Sequence, residues 1–232
     1  MRKVGFVLHT SVEGPGLFED IFSELGWEIK KYNYFENQIL LEHVDECDIY
    51  FLMGGPQSVG NNLELKNEYE FIKKLIKEHI PCVGICLGAQ MIAHVLGAKV
   101  YKADNPEFGW EYISLTDEGV ASDIAVGFPG ELKVFQWHED TFDIPEGCEL
   151  LALSEKCRNQ WFKYHDYIYG LQFHFEMRKE DISRLLQVVK EDKGPEIEDL
   201  EMAIMEEMDE SVKENEKVCR MFVENLLEAL LR

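Results

Sequence analysis

The chain has 232 residues, 46% of them hydrophobic and 12% aromatic, a globular composition long enough for one sizeable core and read as a single domain over 1–232. With 45 acidic against 23 basic residues the formal charge is -22, which excludes nucleic acid and anionic membranes as main partners, because a phosphate surface needs a basic footprint. No run reaches the roughly 18 apolar residues of a membrane span, and Met1–Leu8 is too short an apolar run for a signal peptide.

A cytoplasmic protein is therefore expected, with cysteines 47, 82, 86, 148, 157 and 219 as free thiols. The expected fold class is α/β: a mostly parallel central sheet with helices on both faces, a small antiparallel portion and a helical C-terminal tail. Val4–His9 reads as the first strand, and Gly16–Leu25 as a helix closed by Gly26. Trp27–Tyr34 is a candidate second strand. Cys47–Met53 is a compact apolar strand ending in Gly54-Gly55-Pro56. Leu65–His79 carries a helical stripe at Leu65, Tyr69, Ile72 and Ile76. Strand Pro81–Ile85 follows, and then a helix that ends at Gly97. This β-α-β-α order predicts a parallel sheet whose functional groups collect at the carboxyl ends of its strands.

The middle of the chain, about 99 to 175, changes character. Val100-Tyr101, Tyr112–Leu115, Leu132–Phe135 and Glu149–Ser154 read as short strands between turn-rich stretches, and Tyr167–Phe175 is the strongest strand of this part. From Glu180 the chain is acidic and helical, broken by Lys193-Gly194-Pro195, so 180–232 reads as a helical extension. Cys219, Phe222, Leu226 and Leu230 form a stripe that favours packing on the outside of the sheet over a lid.

The chemistry starts at Gly84-Ile85-Cys86-Leu87-Gly88, a G-x-C-x-G between a strand and a helix. This is the cysteine form of a nucleophile elbow, in which a tight turn lifts the reactive atom above the sheet edge and the helix N-terminus favours a thiolate. In Gln172-Phe173-His174-Phe175-Glu176, alternation along an extended chain puts His174 and Glu176 on one face and the phenylalanines on the other. An imidazole that takes and returns a proton, oriented by a carboxylate, is what a thiol nucleophile needs. The Gly54-Gly55-Pro56 turn follows a strand, and its backbone N–H, with that of Leu87, suits a developing oxyanion. Cys82 and Cys86 lack a matching Cys/His pair at zinc spacing, so neither a metal nor another cofactor is expected.

Met53-Gly54-Gly55-Pro56, Gly84–Gln90 and Gly170–Glu176 resemble, in order and spacing, the three blocks of the class I (triad) glutamine amidotransferases, over residues 1 to about 180. The resemblance implies that Cys86 attacks the side-chain amide of L-glutamine, releases ammonia and leaves a γ-glutamyl thioester for water to hydrolyse. It makes His174 the general base and acid, Glu176 the orienting carboxylate, and Gly55 and Leu87 the oxyanion hole. Gln90 and Gly54 then face the substrate, and Gln136–Asp140, with Trp137 and His138, is similar to the family's glutamine-holding loop. His138 is equally well read as a loop histidine without a role.

Two departures stand out. GMP synthase and carbamoyl-phosphate synthase modules usually have His-Pro-Glu where this chain has His174-Phe175-Glu176, and Ser-His where it has Trp137-His138. The chain thus looks like stand-alone, GMP-synthase-like members, some of which hydrolyse γ-glutamyl peptides. It has no phosphate-binding G-x-x-x-x-G-K-[ST] loop, so any synthase reaction needs a separate synthase partner. The alternatives are a γ-glutamyl peptide hydrolase and a non-catalytic protein of regulatory or interaction type.

Overall fold

A computed structural model describes residues 1–34, 40–60 and 65–230, and the backbone alone at 40 and 41. The last two residues of the expected 180–232 extension thus lie outside the described residues. The parallel half comprises β1 (Lys3–Leu8), β2 (Glu28–Asn33), β3 (Ile49–Leu52) and β4 (Cys82–Ile85). Its helices are α1 (Leu17–Glu24), α2 (Lys66–Lys77) and α3 (Leu87–Val95). β3 and β4 are buried at every position, which is why they read as uninterrupted apolar runs: both faces are covered by helices. A 3₁₀ segment, Leu40–Glu46, leads into β3 and was not expected from the sequence.

The second half comprises β5 (Val100–Leu115), β6 (Glu131–Phe142), β7 (Glu149–Leu153), β8 (Trp161–Tyr164) and β9 (Ile168–Leu171), with the short helix α4 (Asp117–Ala121) between β5 and β6. Among the described residues the nine strands form one sheet in the order β2-β1-β3-β4-β9-β8-β7-β5-β6. The ladders from β2 to β9 are parallel, and those from β9 to β6 are antiparallel. The expected mostly parallel sheet with a small antiparallel portion is thus corrected: half of the ladders are antiparallel, and they continue the same sheet. Val100-Tyr101 and Tyr112–Leu115 are the two ends of a single strand, β5, whose pairing with β6 shifts register between Lys102 and Glu107.

The strand expected over 167–175 ends at Leu171. Beyond it the chain leaves the β8 ladder, and His174 makes an isolated antiparallel bridge to Phe135 of β6. Its N–H donates to the Phe135 carbonyl at 2.8 Å, and its carbonyl accepts from the Phe135 N–H at 3.0 Å.

The C-terminal part folds as α5 (Lys179–Lys193) and the 33-residue helix α6 (Glu198–Leu230), joined by a 3₁₀ turn at Gly194–Ile197. α6 makes its contacts along two successive stretches. Ile204, Met208 and Val212 pack with α5 and Phe135. Val218, Cys219, Phe222, Val223 and Leu226 enter the main core with Phe18, Phe173 and Phe175. All six cysteines are free thiols, and no helix among the described residues is long and apolar enough to cross a membrane.

Candidate active site

Cys86 stands between β4 and α3 at φ 50°, ψ -104°. A left-handed conformation at a residue with a side chain is strained, and such strain persists only where its surroundings enforce it. The flanking glycines explain how: a Cβ on Gly84 would strike the backbone of Gly88, and one on Gly88 would strike the Leu52 carbonyl. The elbow is therefore wedged between β3 and the first turn of α3, with room for hydrogen alone at both positions. The N–H groups at the start of α3, Leu87 among them, have no acceptor inside the helix and carry its positive end toward the thiol.

His174 and Glu176 are each 2% exposed, and His174 Nδ1 lies 2.7 Å from Glu176 Oε1. The other ring nitrogen is not taken by Glu176, and Cys86 is near enough to act on the charge of the imidazole. Burial alone would push the His174 pKa down, but the Glu176 carboxylate and Cys86 outweigh it and hold it well above the usual histidine value. The anchoring is apolar. Phe173 and Phe175 are buried, with Phe175 5.3 Å from Phe222 of α6 and 6.0 Å from Phe18 of α1 between ring centroids. Glu176 is held through its backbone as well, since its carbonyl accepts from Leu17 N–H at 2.7 Å. Residues 172–176 thus deliver the side-by-side imidazole and carboxylate without being a regular strand.

Gly55, Cys86, Gln90, Trp137 and His138 line one cleft of about 380 Å³, and Leu87 and Gly54 border the same corner. The Gln90 amide donates to the Asp140 carbonyl at 3.1 Å and to Gln172 Oε1 at 3.2 Å, so it ties α3 to β6 as well as facing the cleft. Gln136–Asp140 lies within β6 rather than in the loop that the resemblance implied. Its backbone still meets Cys86, whose thiol points at the Trp137 carbonyl, 3.8 Å away. The His138 ring is fully engaged elsewhere, with Nδ1 donating to the Asp140 carbonyl at 3.0 Å and Nε2 3.0 Å from Glu107 Oε2.

Sequence reasoning missed three parts of this cleft. Gln172 donates to Cys86 Sγ at 3.6 Å. Glu13, in the loop after β1, lines the wall beside His174; its signal was its place at the carboxyl end of a parallel strand, where functional groups gather. Leu185, Val188, Val189 and Lys193 of α5 form the outer wall, so part of the tail is lid-like, whereas the stripe on α6 packs in the core as expected.

Among the described residues, Glu107, His138 and Cys157 are the one trio whose ligand-type atoms cluster, within 4.8 Å of one another. They do not fit a metal. Glu107 already accepts from Ser154 Oγ and Gln160 Nε2, both at 2.6 Å, and Cys157 Sγ pairs with Thr141 Oγ1 at 3.1 Å.

The family model for class I glutamine amidotransferases matches residues 19–186. A glutamine amidotransferase-like protein of Salmonella typhimurium is 31% identical over 191 residues, 80% of each chain. A component of the glutamine-hydrolysing GMP synthase of Saccharolobus solfataricus is 37% identical over 141 residues, covering 60% of this chain and 72% of that one. The crystal structure of a glutamine amidotransferase from Thermotoga maritima matches with a TM-score of 0.88 and 32% identity over 98% of both chains. An elbow cysteine, its imidazole and carboxylate, and these likenesses together place the chain in the class I glutamine amidotransferases.

Proposed function

We propose that this enzyme hydrolyses the γ-carboxamide of L-glutamine to glutamate and ammonia through a γ-glutamyl thioester on Cys86. The observation that carries the reading is the strained thiol at a helix N-terminus, close enough to act on the charge of a buried imidazole that a buried carboxylate orients. His174 takes the thiol proton as Cys86 Sγ bonds to the amide carbon, and the oxygen becomes an oxyanion met by the N–H groups of Gly55 and Leu87. His174 gives its proton to the nitrogen, the C–N bond breaks and ammonia departs. Water then adds to the thioester carbon while His174 takes its proton; the C–S bond breaks and the thiolate returns. Gln90, Gly54, Trp137 and His138 border the space for the amino-acid end of the substrate.

A separate synthase partner that receives the ammonia agrees with the names of the Saccharolobus and Sulfolobus relatives, each one component of a glutamine-hydrolysing GMP synthase. A cytoplasmic location agrees with the reduced state of the thiols. Glutamate release from glutamine by the purified enzyme, with Cys86→Ser as control, tests the proposal; no release, with candidate synthase partners added, contradicts it.

A second substrate class has one observation in its favour. The cleft lies in the size range of pockets for drug-sized ligands, and Phe108, Trp137, Leu185 and Val188 give it an apolar outer wall. A γ-glutamyl peptide would fill that space beyond its γ-glutamyl end. The ratio of kcat/KM for glutamine and a γ-glutamyl dipeptide separates the two.

A further inference from the structure

Glu13 has no role in the chemistry above, yet it occupies the same corner of the cleft. A Cβ on Gly54 would collide with Glu13 Oε2 and stand 3.2 Å from His174 Cε1, so the carboxyl and the ring flank one point beside the glycine turn. Glu13 lines the cleft together with Cys86. No described residue donates a hydrogen bond to its carboxyl. His174 turns its Cε1 carbon to that corner, and its Nδ1 is committed to Glu176. A partly buried acceptor with no donor among the described residues, facing a reaction space, is matched by a ligand that brings N–H groups.

We propose that Glu13 contacts the substrate directly and accepts a hydrogen bond from the nitrogen that leaves the γ-carboxamide. This rests on the glutaminase reading of the site. Of the two polar ends of the reacting amide, the oxyanion would be repelled by a carboxylate, whereas the nitrogen presents N–H bonds and turns into ammonia beside His174. Glu13 forms and breaks no covalent bond. The proton still comes from His174, and Glu13 orients the nitrogen lone pair toward it and holds the product until it departs. Burial raises the Glu13 pKa above the usual carboxyl value, with His174 and His9 opposing and Glu176 adding to it, and an N–H donor from the substrate would favour its ionised form.

The test compares glutamine with the γ-methyl ester of glutamate, which forms the same thioester but has no N–H on its leaving group. Glu13→Ala is expected to lower kcat/KM for glutamine about 10- to 100-fold, the effect of removing a charge-assisted hydrogen bond. The ester should lose less than about threefold, since it never made that bond. Glu13→Gln keeps an acceptor oxygen and the side-chain shape, and should fall between Glu13→Ala and wild type on glutamine; it also serves should the alanine variant fold poorly. Equal losses on both substrates, which a purely structural or His174-tuning role would give, overturn the proposal, as does no loss on glutamine. Wild-type enzyme that releases glutamate from neither compound instead removes the glutaminase reading, and this proposal with it.

Discussion

Among the described residues there are three buried imidazole–carboxylate pairs, His9–Glu68 being one of them, and under the proposed mechanism the other two have opposite uses. His174–Glu176 and His138–Glu107 are both imidazole–carboxylate contacts, at 2.7 and 3.0 Å, and both line or adjoin one cleft. In the first pair the second nitrogen faces a thiol. In the second it is spent on the Asp140 carbonyl, and the carboxylate also serves Ser154 and Gln160. A histidine beside an acid is thus a reactive group only when one nitrogen remains for the nucleophile. When both are spent, the same pair is a strut, here joining β5, β6 and the 154–160 turn.

Replacement of Cys86 by alanine should be the most severe change, lowering glutamate release by about 10³-fold or more, since the covalent route is lost. Loss of the ring in His174→Ala should come close to it, and the double variant should be little worse than either single one, because the groups act as a unit. Glu176→Gln should cost about 10²- to 10⁴-fold, as for an orienting carboxylate whose loss frees the wrong tautomer. It has a pH signature too. Glu176 raises the His174 pKa, so the limb on which activity falls as the imidazolium loses its proton lies above the usual histidine range. Without the carboxylate that limb should move to lower pH.

The strut predicts the reverse profile. Glu107→Gln leaves a buried histidine without its anion, which should destabilise the fold by about 3–5 kcal/mol in thermal or urea melts while changing kcat less than about fivefold. A large loss of kcat at unchanged stability would erase the distinction between the pairs. The smallest effect is expected from Gln172→Leu: a weak donor to sulfur at 3.6 Å and one of the two acceptors of the Gln90 amide are removed, the Asp140 carbonyl remaining, and kcat/KM should fall only a few-fold.

The parallel half was legible because its central strands β3 and β4 are buried on both faces and stand out as apolar runs between glycine turns. The elbow was legible for a local reason, since neighbouring backbone crowds Gly84 and Gly88. The antiparallel half was read in fragments. β5 exposes its middle, through Lys102, Asp104, Asn105, Pro106 and their neighbours, and shifts register there, so composition marked a turn where the chain stays extended. The overlong reading of β9 has a different cause. Its hydrophobic pattern continues through Phe173 and Phe175, but those rings serve the helix side of the core with Phe18 and Phe222 after the strand has ended. His138 and Glu13 could not be sorted from sequence, because their roles depend on partners 31 residues away and on a different strand's glycine turn.

The central claim is that Cys86 is the residue on which the γ-acyl group rides, and an electrophilic glutamine analogue tests it most directly. Incubated with the enzyme and mapped by peptide mass spectrometry, the analogue should modify Cys86 alone, at the rate at which glutaminase activity disappears, and glutamine should protect. Modification of Cys82 or another thiol with Cys86 untouched, or full glutaminase activity in enzyme whose Cys86 is labelled, would contradict the account.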